Sequence, residues 1–144
     1  MITTKSKLSL AVAIAAVAIG TALPSFVATA HGDDPGASVK AVFAGKLPNV
    51  PGKSVSAVVV NYAPGGKSPK HHHAGSVLAY VLSGEIRSEN SATGPVKVYK
   101  AGETFFEPPG SEHDVSENAS TTEPASLLAI FIADDNAQLT TMDK

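Results

Sequence analysis

From Ser38 onward, short runs of apolar and β-branched residues alternate with clusters of Gly, Pro, Asn and Ser. The runs are SVKAVF (38–43), SVSAVVVNYA (54–63), SVLAYVL (76–82), PVKVYK (95–100), ETFFE (103–107) and SLLAIFIA (126–133), all of strand-favouring composition. In PVKVYK, Val96 and Val98 alternate with Lys97 and Tyr99, the period-two pattern of a strand with one face in a core. The separators PNVPGK, APGGKSPK, LSGE, NSATGP, KAGE, EPPGSE and TTEPA carry turn chemistry. After residue 30 no segment sustains the 3.6-residue period of a helix. Many short strands at even spacing predict an all-β sandwich or barrel.

The first 30 residues have another pattern. Lys5 and Lys7 precede the apolar run Leu8 to Ile19, and Ala28-Thr29-Ala30 closes the segment, the order of a cleavable secretory signal. The apolar run of about 12 residues is short of the roughly 20 that span a bilayer, and Gly20 and Pro24 keep it from extending further. The expectation is cleavage after Ala30 and a periplasmic or secreted mature chain starting at His31. HGDDPG at 31–36 then reads as a flexible lead-in, 37–135 as a single β domain, and 136–144 as a polar tail, either a frayed end or an arm against a partner subunit.

Loss of Lys5 and Lys7, with no acid removed, moves the formal net charge from −2 to −4. No basic patch remains for nucleic acid or an anionic membrane, so neither is expected as a partner. The chain has no cysteine, so stability must come from the core, a metal or an oligomer interface.

The five histidines are His31, His71, His72, His73 and His113. On a strand His71 and His73 point one way and His72 the other, so the first two can share a cation. That pair alone is weak evidence, since a polar turn is equally written HHH. A second element changes the weighing: Pro108-Pro109-Gly110 is a rigid turn that fixes where the next strand projects His113. His31, as a new N-terminus, could chelate copper with its own amine, but nothing downstream supports it.

These segments resemble the two motifs of the cupin superfamily. The first motif runs Gly, five residues, His-x-His, three or four residues, Glu, six residues, Gly, matched here by Gly65, His71-His72-His73 and Gly84. The second runs Gly, five residues, Pro-x-Gly, two residues, His, three residues, Asn, matched by Gly102, Pro108-Pro109-Gly110 and His113. Two positions depart: Val77 stands where the acidic ligand belongs, and Glu117 where the Asn belongs, with Asn118 one place later. The resemblance implies a double-stranded β-helix, the jelly-roll barrel of cupins, and His71, His73 and His113 as metal ligands, without the usual carboxylate.

Three neutral imidazoles suit Fe, Cu, Zn or Ni, and Mn is a further candidate. Outside the cytoplasm Fe(II) is harder to keep reduced, which favours Cu or Zn. Glu107, on a strand face with Phe105, is the best candidate for a fourth ligand or base; Glu85 and Glu112 sit at expected turns. If Val77 faces inward, Ala79 and Val81 share its face and form an apolar pocket floor, with Phe105 as one wall. Arg87, the only arginine, reads as solvated in a polar turn. The most concrete enzymatic expectation is a dioxygenase-type activity on a small organic substrate, as the resemblance implies for three-histidine centres. The alternative is a non-catalytic module that binds a metal or small ligand. No catalytic residue is assigned. Exposed sheet edges favour a homodimer.

Overall fold

The computed structural model describes residues 36–144. The expected signal segment, the bulk of the lead-in and His31 lie outside the described residues. Eleven strands are formed among the described residues, and no helix. They are β1 (Ala37–Lys46), β2 (Lys53–Tyr62), β3 (Lys67–Ser68), β4 (His71–His73), β5 (Ser76–Ser83), β6 (Glu85–Asn90), β7 (Gly94–Lys100), β8 (Thr104–Glu107), β9 (Glu112–Asn118), β10 (Ala125–Asp134) and β11 (Thr140–Met142). The all-β expectation holds, and each apolar run of the sequence is a strand.

The strands make two antiparallel sheets, ordered β1-β2-β10-β5-β8 and β11-β4-β9-β6-β7, with β3 also paired to β9. Apart from the sequential pairs β1–β2 and β6–β7, neighbours in each sheet come from distant parts of the chain, the layout of a double-stranded β-helix. Alternation decides what lies between the sheets. From the first sheet, Tyr62, Val77, Ala79, Val81, Phe105, Leu127, Ala129 and Phe131 face inward and form the core with Ile86 of the second. Beside Ile86 and Tyr99, the second sheet's inner face is polar: His71, His73, Ser88, Asn90, His113, Ser116 and Asn118 are all buried. One half of the barrel interior is therefore oil and the other half is hydrogen-bonding groups. That asymmetry places the site.

Four expectations need correction. In β7 it is Tyr99 that packs on the core, against Phe105 at 4.9 Å between ring centroids, while Val96 and Val98 are exposed. Tyr99 pairs with inward Ile86, whereas Val98 pairs with outward Arg87, so the register reverses the simple hydrophobic reading. The stretch around Arg87 is a strand, not a turn, and Arg87 binds Glu117 at 2.5 Å on the outer face. Glu85 and Glu112, expected in turns, open β6 and β9 with exposed side chains. Finally, the tail folds back on its own chain, with Thr140 opposite His73 and Met142 opposite His71.

Candidate metal centre

His71 and His73 occupy the ends of a three-residue strand, so both rings enter the barrel while His72 turns outward to Asp143 at 2.7 Å. On the adjacent strand His113 is the direct cross-strand partner of His71. Its approach is set by the Pro-Pro-Gly turn: Gly110 adopts φ 72°, which only glycine takes without strain, and its N–H donates to the carbonyl of His73 at 2.8 Å. The turn thus ties one histidine strand to the other. A ligand nitrogen from each of the three rings lies within 4.8 Å of the others, and all three residues are buried. Tetrahedral zinc sites hold nitrogens roughly 3.4 Å apart, given bonds of about 2.1 Å, so the rings stand near a closed site with small rotations left to make.

Each imidazole is oriented by a second contact. Nδ1–H of His71 donates to the Pro69 carbonyl at 2.7 Å, and Nδ1–H of His73 to the Leu139 carbonyl at 3.1 Å, with Thr140 Oγ1 also at 3.1 Å. Carbonyls only accept, so Nε2 of both rings carries a free lone pair. His113 Nε2 is bonded to Ser88 Oγ at 2.8 Å, which leaves its Nδ1 facing the cluster. Aromatic edges complete the wall, with Phe131 at 5.1 Å from His73 and Phe105 at 6.0 Å from His113.

Glu107 enters from the first sheet. It is 3% exposed, and its Oε2 lies 3.0 Å from His113 Nδ1 and 3.7 Å from His73 Nε2. Neither Glu107 Oε2 nor His113 Nδ1 has an aligned hydrogen-bond partner, so the short approach is between two unsatisfied atoms. Buried polar atoms are almost always paired; at 3.0 Å these two face each other as an ion pair, and a metal that takes both would sit to one side of them, toward His71 and His73. Burial lowers the His71 pKa, and it brings that of His73 down to about 4. Burial pushes the Glu107 carboxyl up, but the facing imidazoles, His113 first, outweigh it and hold the group below the usual carboxylate range. Two neutral imidazoles, a third imidazole and an ionised buried carboxylate make a nitrogen-rich donor set that fits a divalent transition metal.

The apolar residues expected as pocket floor, Val77, Ala79 and Val81, do face inward, and Phe105 with them, though Val81 is sealed in the core at 0% exposure. Sequence reasoning missed the Ser88 and Asn90 contribution. The signal was available: in EIRSEN the charged residues Glu85, Arg87 and Glu89 alternate with Ile86, Ser88 and Asn90, a period of two written in charge rather than in hydrophobicity.

A family model described as a cupin domain matches residues 58–131. A germin-like protein, subfamily 2 member 2 of Arabidopsis thaliana, is 35% identical over 108 residues, covering 72% of this chain and 47% of the relative. The chain thus spans about half the length of that curated relative. Among solved structures, a conserved protein with a double-stranded β-helix domain from Klebsiella pneumoniae is similar at TM-score 0.60 and 23% identity, covering 78% of this chain and 89% of that one. An oxalate oxidase in complex with the substrate analogue glycolate is similar at TM-score 0.58 and 25% identity, covering 77% and 58%. The family model covers the histidine strands, and with the germin-like relative it shows that the protein belongs to the cupin family.

Proposed function

We propose that this cupin is an exported metalloprotein that holds one divalent transition metal through His71, His73, His113 and Glu107, and acts on a small organic molecule there. The single observation carrying the reading is the pair of buried orphan atoms, Glu107 Oε2 and His113 Nδ1, 3.0 Å apart inside a ring of imidazoles. Glu107 supplies the carboxylate that Val77 lacks. A bound metal supplies Lewis acidity and open positions for a small ligand. The chain's own work is to hold the ligand nitrogens in their free-lone-pair state, through Pro69, Leu139 and Ser88, and to keep water out with Phe105 and Phe131.

A cleft of about 400 Å³ supports a small-molecule partner. Its lining includes Ala44, Ser54, Ser56 and Leu139. Ser56 is the cross-strand partner of Phe131, whose ring lies 5.1 Å from that of His73, and the Leu139 carbonyl accepts from His73, so the cleft lining adjoins residues that touch the centre. Pairing of two copies is favoured by the first sheet's outer face, where Phe43, Ala57, Ile130, Leu78 and Phe106 form one unbroken cross-strand row. Export is supported by the N-terminal sequence pattern; among the described residues no helix is long and apolar enough to cross a membrane.

The test is metal analysis of the untagged mature protein beside His113→Ala. Near one equivalent of a single metal in the parent, and little in the variant, is expected. No metal in the parent after reloading with Fe, Cu, Zn, Mn and Ni overturns the reading.

A further inference from the structure

Four buried side-chain atoms have no hydrogen-bond partner among the described residues: Glu107 Oε2, His113 Nδ1, Asn90 Nδ2 and Asp143 Oδ2. Asp143 sits beside outward His72, but Asn90 belongs with the first two. It is 3% exposed, it comes after Ile86 and Ser88 along the inner face of β6, and its direct cross-strand partner is His113. Paired residues on one face carry their Cβ atoms about 5 Å apart. The pair follows a bulge between Glu89 and Asn90, so the amide lies on the strand beside the ring whose own free nitrogen faces Glu107.

The identity of the unpaired group is fixed by its other half. Ala92 N–H reaches the Asn90 side chain at 3.0 Å, and an N–H can only donate, so the atom it meets is the carbonyl oxygen Oδ1. The NH2 group is left over. It is a donor, buried, rigidly held at a turn, and with no protein acceptor. A metal cannot satisfy it, because an amide NH2 has no lone pair to give. What satisfies it is an acceptor oxygen from outside the chain, a water's or a ligand's.

From this juxtaposition we infer that Asn90 is a ligand-binding residue, whose amide NH2 donates to an oxygen of a small monoanion, a monocarboxylate in class, held at the His71-His73-His113-Glu107 centre. The inference rests on the proposed metal reading. Charge selects a monoanion: a divalent cation less the Glu107 carboxylate leaves one positive charge, and the buried polar residues of the barrel include no lysine or arginine to balance a second negative group. A carboxylate has the needed geometry, one oxygen for the cation and one for the amide.

The experiment loads the protein, expressed from its full-length sequence and labelled with 15N, with zinc, which is diamagnetic, and titrates it with acetate. The Asn90 side-chain NH2 resonances are identified by their absence in Asn90→Asp, which keeps an acceptor for Ala92, removes the donor and adds a negative charge, whereas Asn90→Ala removes the donor without adding charge. We expect these resonances to move downfield and saturate. We expect Asn90→Asp and Asn90→Ala to weaken acetate at least about tenfold, as loss of a hydrogen bond to a charged group should, with zinc content unchanged. Acetate affinity within twofold of the parent in both variants, or loss of zinc in both, overturns the inference. Failure of the parent to bind zinc or any other metal is a failure of the metal reading instead. The same titration on metal-free protein then decides on its own terms: movement of the Asn90 resonances keeps the donor role, and no movement ends it.

Discussion

Glu107 and Val77 are direct cross-strand partners in the β5–β8 ladder, both facing inward, at 3% and 1% exposure. The position that lacks the carboxylate of the cupin motif and the carboxylate that reaches the histidines are therefore opposite ends of one rung. A side chain moved across a rung shifts its Cβ by only about 5 Å, little more than a glutamate side chain's reach. A swap is accordingly predicted. Glu107→Val should weaken divalent-metal affinity by tenfold or more, and Val77→Glu added to it should recover most of the loss. Val77→Glu alone should recover nothing and destabilise the fold, since it buries a second carboxylate against the first. Competition titration with a chromophoric chelator reads all three.

The three consecutive histidines should behave as two and one. His71→Ala or His73→Ala should remove stoichiometric metal, whereas His72→Ala, whose ring is outside and bonded to Asp143, should leave metal content unchanged. Equal loss in all three variants would contradict the strand geometry.

How far the site was legible in sequence depends on whether each residue's neighbours are local or distant in the chain. His71, His73 and His113 could be read because spacing within one strand and one rigid turn is local information. Glu107 could be named but not weighed: its burial depends on β8 lying next to β5, a pairing that no local pattern states. Asn90 and Ser88 were hidden because the inner face of β6 is polar, so the hydrophobic alternation that announces a half-buried strand is absent there. The C-terminal tail is too polar to signal a strand, and it forms one only because β4 offers an open edge.

That tail carries a prediction. The Leu139 carbonyl and Thr140 Oγ1 both orient His73, and partners of this kind are worth about 10- to 100-fold in metal affinity. Truncation after Asn136 should cost that much, while Thr140→Ala, which keeps the Leu139 carbonyl, should cost little. Ser88→Ala should cost about tenfold through His113. Isothermal titration of zinc into metal-free protein, with circular dichroism to verify the fold, measures each.

Acid should destabilise the metal-free protein. His73 titrates at about 4 when folded, against about 6.5 when unfolded. Between those values the unfolded chain binds a proton that the native state refuses, so stability falls as pH drops through the window and is fully present above it. The slope from this one group approaches roughly 1 kcal/mol per pH unit, and His71, shifted the same way, adds to it. Chemical denaturation at pH 7.0, 6.0 and 5.0 should show midpoints declining in step. A midpoint constant from pH 7.0 to 5.0 would mean these imidazoles accept protons in place.

The outer face of the first sheet predicts self-association. Leu78 and Phe106 are direct partners at 43% and 48% exposure, and Ile130 links Leu78 to Ala57 and so to Phe43, 58% exposed at the edge strand. The neighbouring outward row holds Lys40, Val59, Leu128, Tyr80 and Thr104. Five strands thus present an almost uncharged surface, while the other sheet's outer face carries Lys70, Arg87, Glu112 and Glu117. Exposed apolar patches beyond a few hundred Å² are rare on monomers and usually mark interfaces. A flat sheet face can be covered by the same face of a second copy about a two-fold axis, which requires no complementary partner to be invented. Sedimentation velocity should therefore give a dimer for the parent and a monomer for Leu78→Lys or Phe106→Lys. Both variants should retain metal, because the inward neighbours Val77 and Glu107 are untouched. A parent that sediments as a monomer at tens of micromolar would remove the second copy as the cover for this face.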